Sequence, residues 1–380
     1  MRLVLPASEV GGRHRRKVGG KAFALSRLRK NGITIPDTLC ITGDAYRSYV
    51  SQTGLRERIS LELHRKEFSQ MRWEEIWDCA TRIRSLFLRK PIPSAIEADL
   101  KASIASWFSG KAVAVRSSAL DEDGTAASFA GLHESFVNIR GVESILKHVR
   151  LVWASLWSDA ALLYRQEIGL DVEKSAMAVV VQEVVVGDRS GVAFTRNPVA
   201  PSQGVIESVH GMNQGLVDGI VEPDRWTVDR RTREILFHTP ALRQYWLVPD
   251  ENGVRKAPLP RDTAKRPPLN PQEVRAVYDM ALRAEEYFDA PQDVEWTVRD
   301  HDIHLLQSRP ITTLKSEDGK DNRGWYLSLH RTFENLKALR QRIEMDFIPA
   351  MVHEADRLSK LDLNTLSDQD LAAEIRRRWE

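Results

Sequence analysis

The apolar positions of this chain change period several times, and each change marks an element. Phe23, Leu25 and Leu28 recur at roughly helical spacing after Gly19-Gly20-Lys21, and Gly32 is placed to stop a helix there. ITIPDTLCIT then reads as an extended piece broken by Pro36, and residues 44–108 read as helix-rich, with Pro-Ile-Pro at 91–93 as punctuation. KAVAVR at 111–116 predicts a strand that opens into the loop SSALDEDGTAASFAG, and residues 135–139 predict a second strand. Over 142–169 the period is helical again, with Leu146, Val149, Val152, Trp153 and Leu156 on one broad face. AMAVVVQEVV is continuously apolar, which suits a strand buried on both faces. SGVAFTRNP, VIESV and RWTVD extend the sheet, a polar, proline-rich stretch over 249–271 reads as a surface excursion, and VRAVYDMALRAEEYF is an amphipathic helix.

The stretch PQDVEWTVRDHDIHLLQSRP carries the sharpest chemistry. Asp293 and Glu295 alternate along one predicted strand, Gln307 and Arg309 along the next, and Asp300, His301 and Asp302 are turn formers. A hairpin in which Arg299 pairs with Ile303 sets Glu295 opposite Gln307 and Asp293 opposite Arg309. All four side chains then share a face. Two carboxylates, an amide and a guanidinium suit a divalent cation together with the phosphates it carries. A surface salt-bridge ladder is the plainer alternative.

Composition narrows the setting. At 380 residues the chain exceeds one ordinary domain, and a net charge of +2 gives no reason to expect nucleic acid or a membrane surface as partner. Cys40 and Cys79 are far apart, in no metal-ligand spacing, and read as reduced buried thiols. The N-terminal segment lacks the apolar run of a signal peptide, so cytoplasm is the expected compartment.

Three further places offer phosphate or base contacts. Lys21 follows two glycines at a helix start, where backbone N–H groups and an ammonium could meet phosphate oxygens; a plain turn and cap is the alternative. Arg116 precedes a loop whose Ser117, Ser118, Gly124 and Thr125 are small enough for backbone amides to approach a triphosphate; an ordinary surface loop is the alternative. Gln182 and Glu183 end the buried strand, where they could face an adenine and ribose or simply surface. His133 and His210 have no metal-like companions. Taken together, the set is what a metal–nucleoside-triphosphate site for phosphoryl transfer requires.

These residues resemble the nucleotide-binding domain of the phosphoenolpyruvate synthase and pyruvate phosphate dikinase family, which also includes rifampin phosphotransferase. The matching blocks are VGGKAFALSRL, AVAVRSSALDEDGTAASFAG, VVVQEVV, SGVAFTRNP, VEPDRW and PQDVEWTV…LLQSRPIT, over roughly residues 10–313. The resemblance implies an α+β, ATP-grasp-like domain of two lobes, roughly 1–110 and 111–313, that clasps ATP and Mg2+. It implies phosphate contacts from Lys21 and Arg116 and a cover over them from residues 121–131, including Gly131. Metal and transferred phosphate would fall to Asp293, Glu295, Gln307 and Arg309, with Glu295 and Gln307 on the metal, and the adenine end to Gln182 and Glu183. Catalytic roles fall on Lys21, Arg116 and Arg309.

In that family ATP donates to a histidine on a swivelling domain, which then visits an acceptor-binding domain. The Ser-His-Ala stretch of such a domain is absent from these residues. The chain is therefore expected to be the ATP half of a relay, cut from a longer enzyme or working as a separate subunit, as in phenylphosphate synthase; an ATP-sensing module without turnover is the remaining alternative. Where many members read Gly-Leu-Gly-Glu, this chain reads Gly211-Met212-Asn213-Gln214, an amide in place of a carboxylate. Residues 314–326 read as a linker and 327–380 as a helical segment opening a further domain, with Ser367 as an N-cap.

Overall fold

The computed structural model describes residues 2–67, 70–120, 133–251, 253–311, 345, 348–359, 367, 369 and 370. It divides into two units, Met1–Gly319 and Lys320–Glu380.

The first unit is α+β and, among the described residues, holds two large antiparallel sheets and a separate two-stranded one. One has the order β1 (Val4–Pro6), β2 (Thr38–Ile41), β5 (Met177–Glu183), β3 (Val113–Ala119), β4 (Ser135–Ile139). The other runs β13 (Asp302–Pro310), β12 (Gln292–Arg299), β6 (Arg189–Phe194), β7 (Gln203–His210), β8 (Asp224–Asp229), β9 (Ile235–Thr239). The expected division at residue 110 does not match this pairing. β2 pairs with β5, so the first sheet takes strands from both sides of that position, and the chain passes to the second sheet after Glu183.

β5 is buried on both faces, as its unbroken apolar run requires. On one side Val113, Val115, Val179 and Val181 meet a helical layer that includes α2 (Gly43–Gln52), α4 (Trp73–Arg89), α5 (Ser94–Phe108) and α6 (Val142–Ser155). On the other, Cys40, Ala178 and Val180 share a core with α1 (Arg15–Lys30), with α10 (Pro271–Phe288) and with Val294, Trp296 and Leu305 of the second sheet. The two sheets are therefore joined through one helix-filled core.

Several elements depart from the pattern-based reading. The helix expected over 142–169 is two, because Ser158 caps a new start, its Oγ accepting from Ala161 N at 3.2 Å, to give α7 (Asp159–Glu167). The excursion over 249–271 contains most of a hairpin, β10 (Tyr245–Asp250) with β11 (Gly253–Pro258). β3 runs through Ala119, so Ser117 and Ser118 belong to a strand and not to the loop. Cys40 and Cys79 are buried free thiols, as expected.

In the second unit a helix spans Ile348–Ser359, and Ser367 Oγ accepts from Asp370 N at 3.3 Å, as an N-cap does. The remainder of 327–380 and the linker 314–326 lie outside the described residues. No helix among the described residues is long and apolar enough to cross a membrane.

Candidate functional site

The hairpin β12–β13 places Glu295 opposite Gln307 and Asp293 opposite Arg309, but by a different route from the one expected. Arg299 pairs with Asp302, not with Ile303, and Asp300 and His301 make a two-residue turn with φ of 50° and 72°. A bulge between Glu295 and Trp296 accommodates one extra residue, Leu306, and restores the functional register.

The four side chains are bonded in two pairs. Arg309 Nε and Nη2 grip Asp293 Oδ2 at 2.8 and 2.7 Å. Gln307 Nε2 donates to Glu295 Oε1 at 3.3 Å. Burial pushes the Asp293 carboxyl up from its ordinary value, and the adjoining Arg309 charge pulls it back. Two motif blocks fix where this hairpin starts: Gln292 N donates to Thr195 Oγ1 at 2.8 Å, and Ser308 Oγ donates to Gln292 Oε1 at 2.8 Å.

Arg116 comes to the same place from the first sheet. It shares a face with Val180 and Cys40, and its Nη1 reaches Glu295 Oε2 at 3.2 Å and Gln307 Oε1 at 3.5 Å. Gln182 lies on that same face, buried, and donates to Thr38 Oγ1 at 3.4 Å. Ser117 points to the opposite face, pairing with Val179, and is fully buried there. Glu183 is tied to Lys111 at 2.7 Å, away from the hairpin carboxylates.

Lys21 owes its position to a backbone break. Gly19 has φ 72° and ψ 171°, so the regular part of α1 starts at Gly20 with Lys21 in its first turn. Ser118 holds this start against β3, its Oγ donating to Val18 O at 2.7 Å and accepting from Ala22 N at 3.4 Å. The Lys21 ammonium stands close enough to His133 to help burial hold that imidazole down to about 3, so His133 is neutral at physiological pH. Gly124, Thr125 and Gly131 lie outside the described residues.

A model of the family described as pyruvate phosphate dikinase, AMP/ATP-binding domain, matches residues 15–326. The chain belongs to that family. It is 34% identical over 305 residues to a probable phosphoenolpyruvate synthase of Methanocaldococcus jannaschii, covering 78% of this chain and 26% of that one. A rifampicin phosphotransferase from a Streptomyces species is 34% identical, with 82% and 36% covered, and a phosphoenolpyruvate synthase of Aeropyrum pernix is 35% identical, with 82% and 42% covered. The chain thus spans less than half the length of each of these relatives.

Two residues of the candidate site were given no role in the pattern-based reading, which named Asn213 only within the Gly211–Gln214 departure from the family pattern. Asn213, in the turn after β7, donates from Nδ2 to Glu295 Oε2 at 3.3 Å. Glu207 lies on the Glu295 face of the second sheet, separated from it only by Val192, and is almost wholly buried. A lone glutamate within the apolar strand VIESV was the available signal.

Burial pushes the Glu207 carboxyl up to about 7; Arg225, at 3.9 Å, opposes the rise and Asp293 adds to it. The ordinary value is 4.5, so between the two the folded chain keeps a proton that the unfolded chain has lost. This group's stability contribution is full below about pH 4.5 and is lost as pH rises through about 7, on the order of 3 kcal/mol. Glu207→Gln is therefore expected to melt above the wild type at pH 8, with the gap closing toward pH 5. Equal gaps at both values would show a carboxyl that does not titrate in that window.

Among the described residues no group of three or more His, Cys, Asp or Glu side chains could hold a metal ion. Glu295 and Gln307 supply hard oxygen donors, fewer than a magnesium ion takes, which fits an ion that arrives with phosphates and water completing its shell.

Proposed function

We propose that this chain is the nucleotide half of a phosphoryl relay. It binds Mg-ATP in an ATP-grasp-like clasp and passes phosphate to a histidine on a separate swivelling domain, for onward transfer to a small-molecule acceptor, as the phosphoenolpyruvate synthase resemblance suggests. The observation that carries this reading is the meeting of Arg116, from one sheet, with Glu295 and Gln307 of the other at 3.2–3.5 Å.

Each cation of the site already has an acidic partner: Arg116 rests on Glu295 and Arg309 on Asp293. An incoming triphosphate draws Arg116 away and leaves Glu295 and Gln307 to hold the cation. Arg309 stays anchored by Asp293 and presents its outer face to the transferred phosphoryl group. Lys21 adds an ammonium at a helix N-terminus, where backbone N–H groups already favour anions. Magnesium, when bound, neutralises charge that develops on the phosphate oxygens. These groups have to align and neutralise rather than form bonds, because phosphoryl transfer places most of its demand there. Gln182 would stand at the adenine end.

Calorimetry with a non-hydrolysable ATP analogue is expected to show binding that Mg2+ strengthens. With a histidine-bearing domain of the family added, ATP is expected to label that histidine. Failure to bind the analogue at millimolar concentration would overturn the reading. Binding with no labelling and no isotope exchange would reduce the chain to an ATP sensor.

A further inference from the structure

We propose that Asn213 is a positioning residue for the cation-binding carboxylate, holding Glu295 in place when Arg116 leaves it for phosphate. The inference rests on the proposed Mg-ATP site and assigns a role in it to a residue outside the hairpin.

Glu295 meets donors from three elements. Arg116 Nη1 and Asn213 Nδ2 reach Oε2 at 3.2 and 3.3 Å, and Gln307 Nε2 reaches Oε1 at 3.3 Å. Only Arg116 carries charge, and it is the member of the set that a triphosphate competes for. Once it goes, Oε2 keeps Asn213 as its protein donor among the described residues. An amide fixes the carboxylate's direction without neutralising it, so the full negative charge stays available to a cation. A second guanidinium in this position would hold the group as firmly and cancel its charge.

The other end of the Asn213 carboxamide points to the same conclusion. Asn213 is 7% exposed, and its Oδ1 is buried with no hydrogen-bond partner among the described residues. Buried acceptors are ordinarily met. A hydrated magnesium ion brings water donors, and Oδ1 stands as an acceptor for one of them beside the carboxylate that takes the ion. Outer-shell partners of this kind set metal affinity by orienting the ligand. Gln214 Oε1, next in the chain, is also buried without a partner among the described residues.

The test is a magnesium titration of the whole chain at fixed concentration of a non-hydrolysable ATP analogue, read by calorimetry, with a parallel titration of analogue in chelator. Asn213→Ala is expected to raise the half-saturating Mg2+ concentration by about 10-fold or more, while magnesium-free analogue binding changes less than twofold. Asn213→Ser serves if the alanine variant does not fold, since serine suits the start of the short helix Gln214–Val217 and its side chain is one bond shorter than the amide that reaches Glu295. An unchanged magnesium midpoint in a folded variant would overturn the proposal. Equal weakening of both kinds of binding would also overturn it, because that marks a purely structural residue. A wild-type chain that binds no analogue at all would instead count against the proposed function.

Discussion

Glu295→Ala is expected to lower phosphoryl transfer by about 10³-fold or more, the scale seen when a charge-positioning group leaves a phosphoryl-transfer site. Two losses combine in that variant. In the proposed site the cation would lose its one charged ligand in the hairpin, and Arg116, 15% exposed at its side chain, loses the carboxylate it is paired with. Arg309→Ala should be equally inactive, but for a reason that also reaches stability. It leaves the buried Asp293 carboxylate without the guanidinium gripping it, which costs roughly 1–3 kcal/mol. Adding Asp293→Asn is expected to recover most of that melting temperature and none of the transfer. Histidine labelling from ATP checks the first effect and thermal melts the second; wild-type labelling in both Glu295→Ala and Arg309→Ala would remove the hairpin from the mechanism.

Gly19→Ala carries the other large effect, and it acts on the backbone. A Cβ at this position would lie 2.6 Å from the carbonyl oxygens of Ser118 and Ala119, which are backbone, and from Ser118 Oγ, which is buried and hydrogen-bonded to Val18 O. The left-handed φ of 72° adds about 1 kcal/mol or more of strain for any residue with a Cβ. Relief means moving the start of α1 off β3, and Lys21 moves with it. A destabilisation above about 3 kcal/mol is expected, with analogue binding weakened at least tenfold in whatever fraction folds. Denaturant melts and calorimetry would measure both. A variant that melts and binds like the wild type would show that the break at Gly19 is not needed.

What could be read along the chain depended on how local the cause was. The amphipathic run that became α10 was legible because its period is written in consecutive residues, although its proline start and Asn270–Glu273 capping box fall at the end of the stretch read as an excursion. The β5 strand was legible for the same reason, its burial being written in continuous valines. β1, only three residues long, was not, because its pairing with β2 lies far along the chain and leaves no periodicity to detect. Ser117 and Ser118 looked like loop residues by type, yet pairing with Val179 and Ala178 of β5 keeps them in a strand. Asn213 was visible only as a departure from a family pattern. Its role needs Glu295, 82 positions away, to be brought beside it. The four hairpin residues were found through alternation and Arg116 through the small-residue loop it precedes; that Arg116 and Asn213 both reach Glu295 came from the fold.

Leu306 makes the parity of this ribbon a functional quantity. With its two-residue turn and no surplus position, the ladder would set Glu295 against Leu306 and Asp293 against Ser308. The amide and guanidinium would then face the apolar interior, and a leucine and a serine would take their places among the acids. The proposed site at the open end of this ribbon depends on counting: one residue more or less between Trp296 and Gln307 would turn the amide and the guanidinium away from the acids without altering the identity of any of the four.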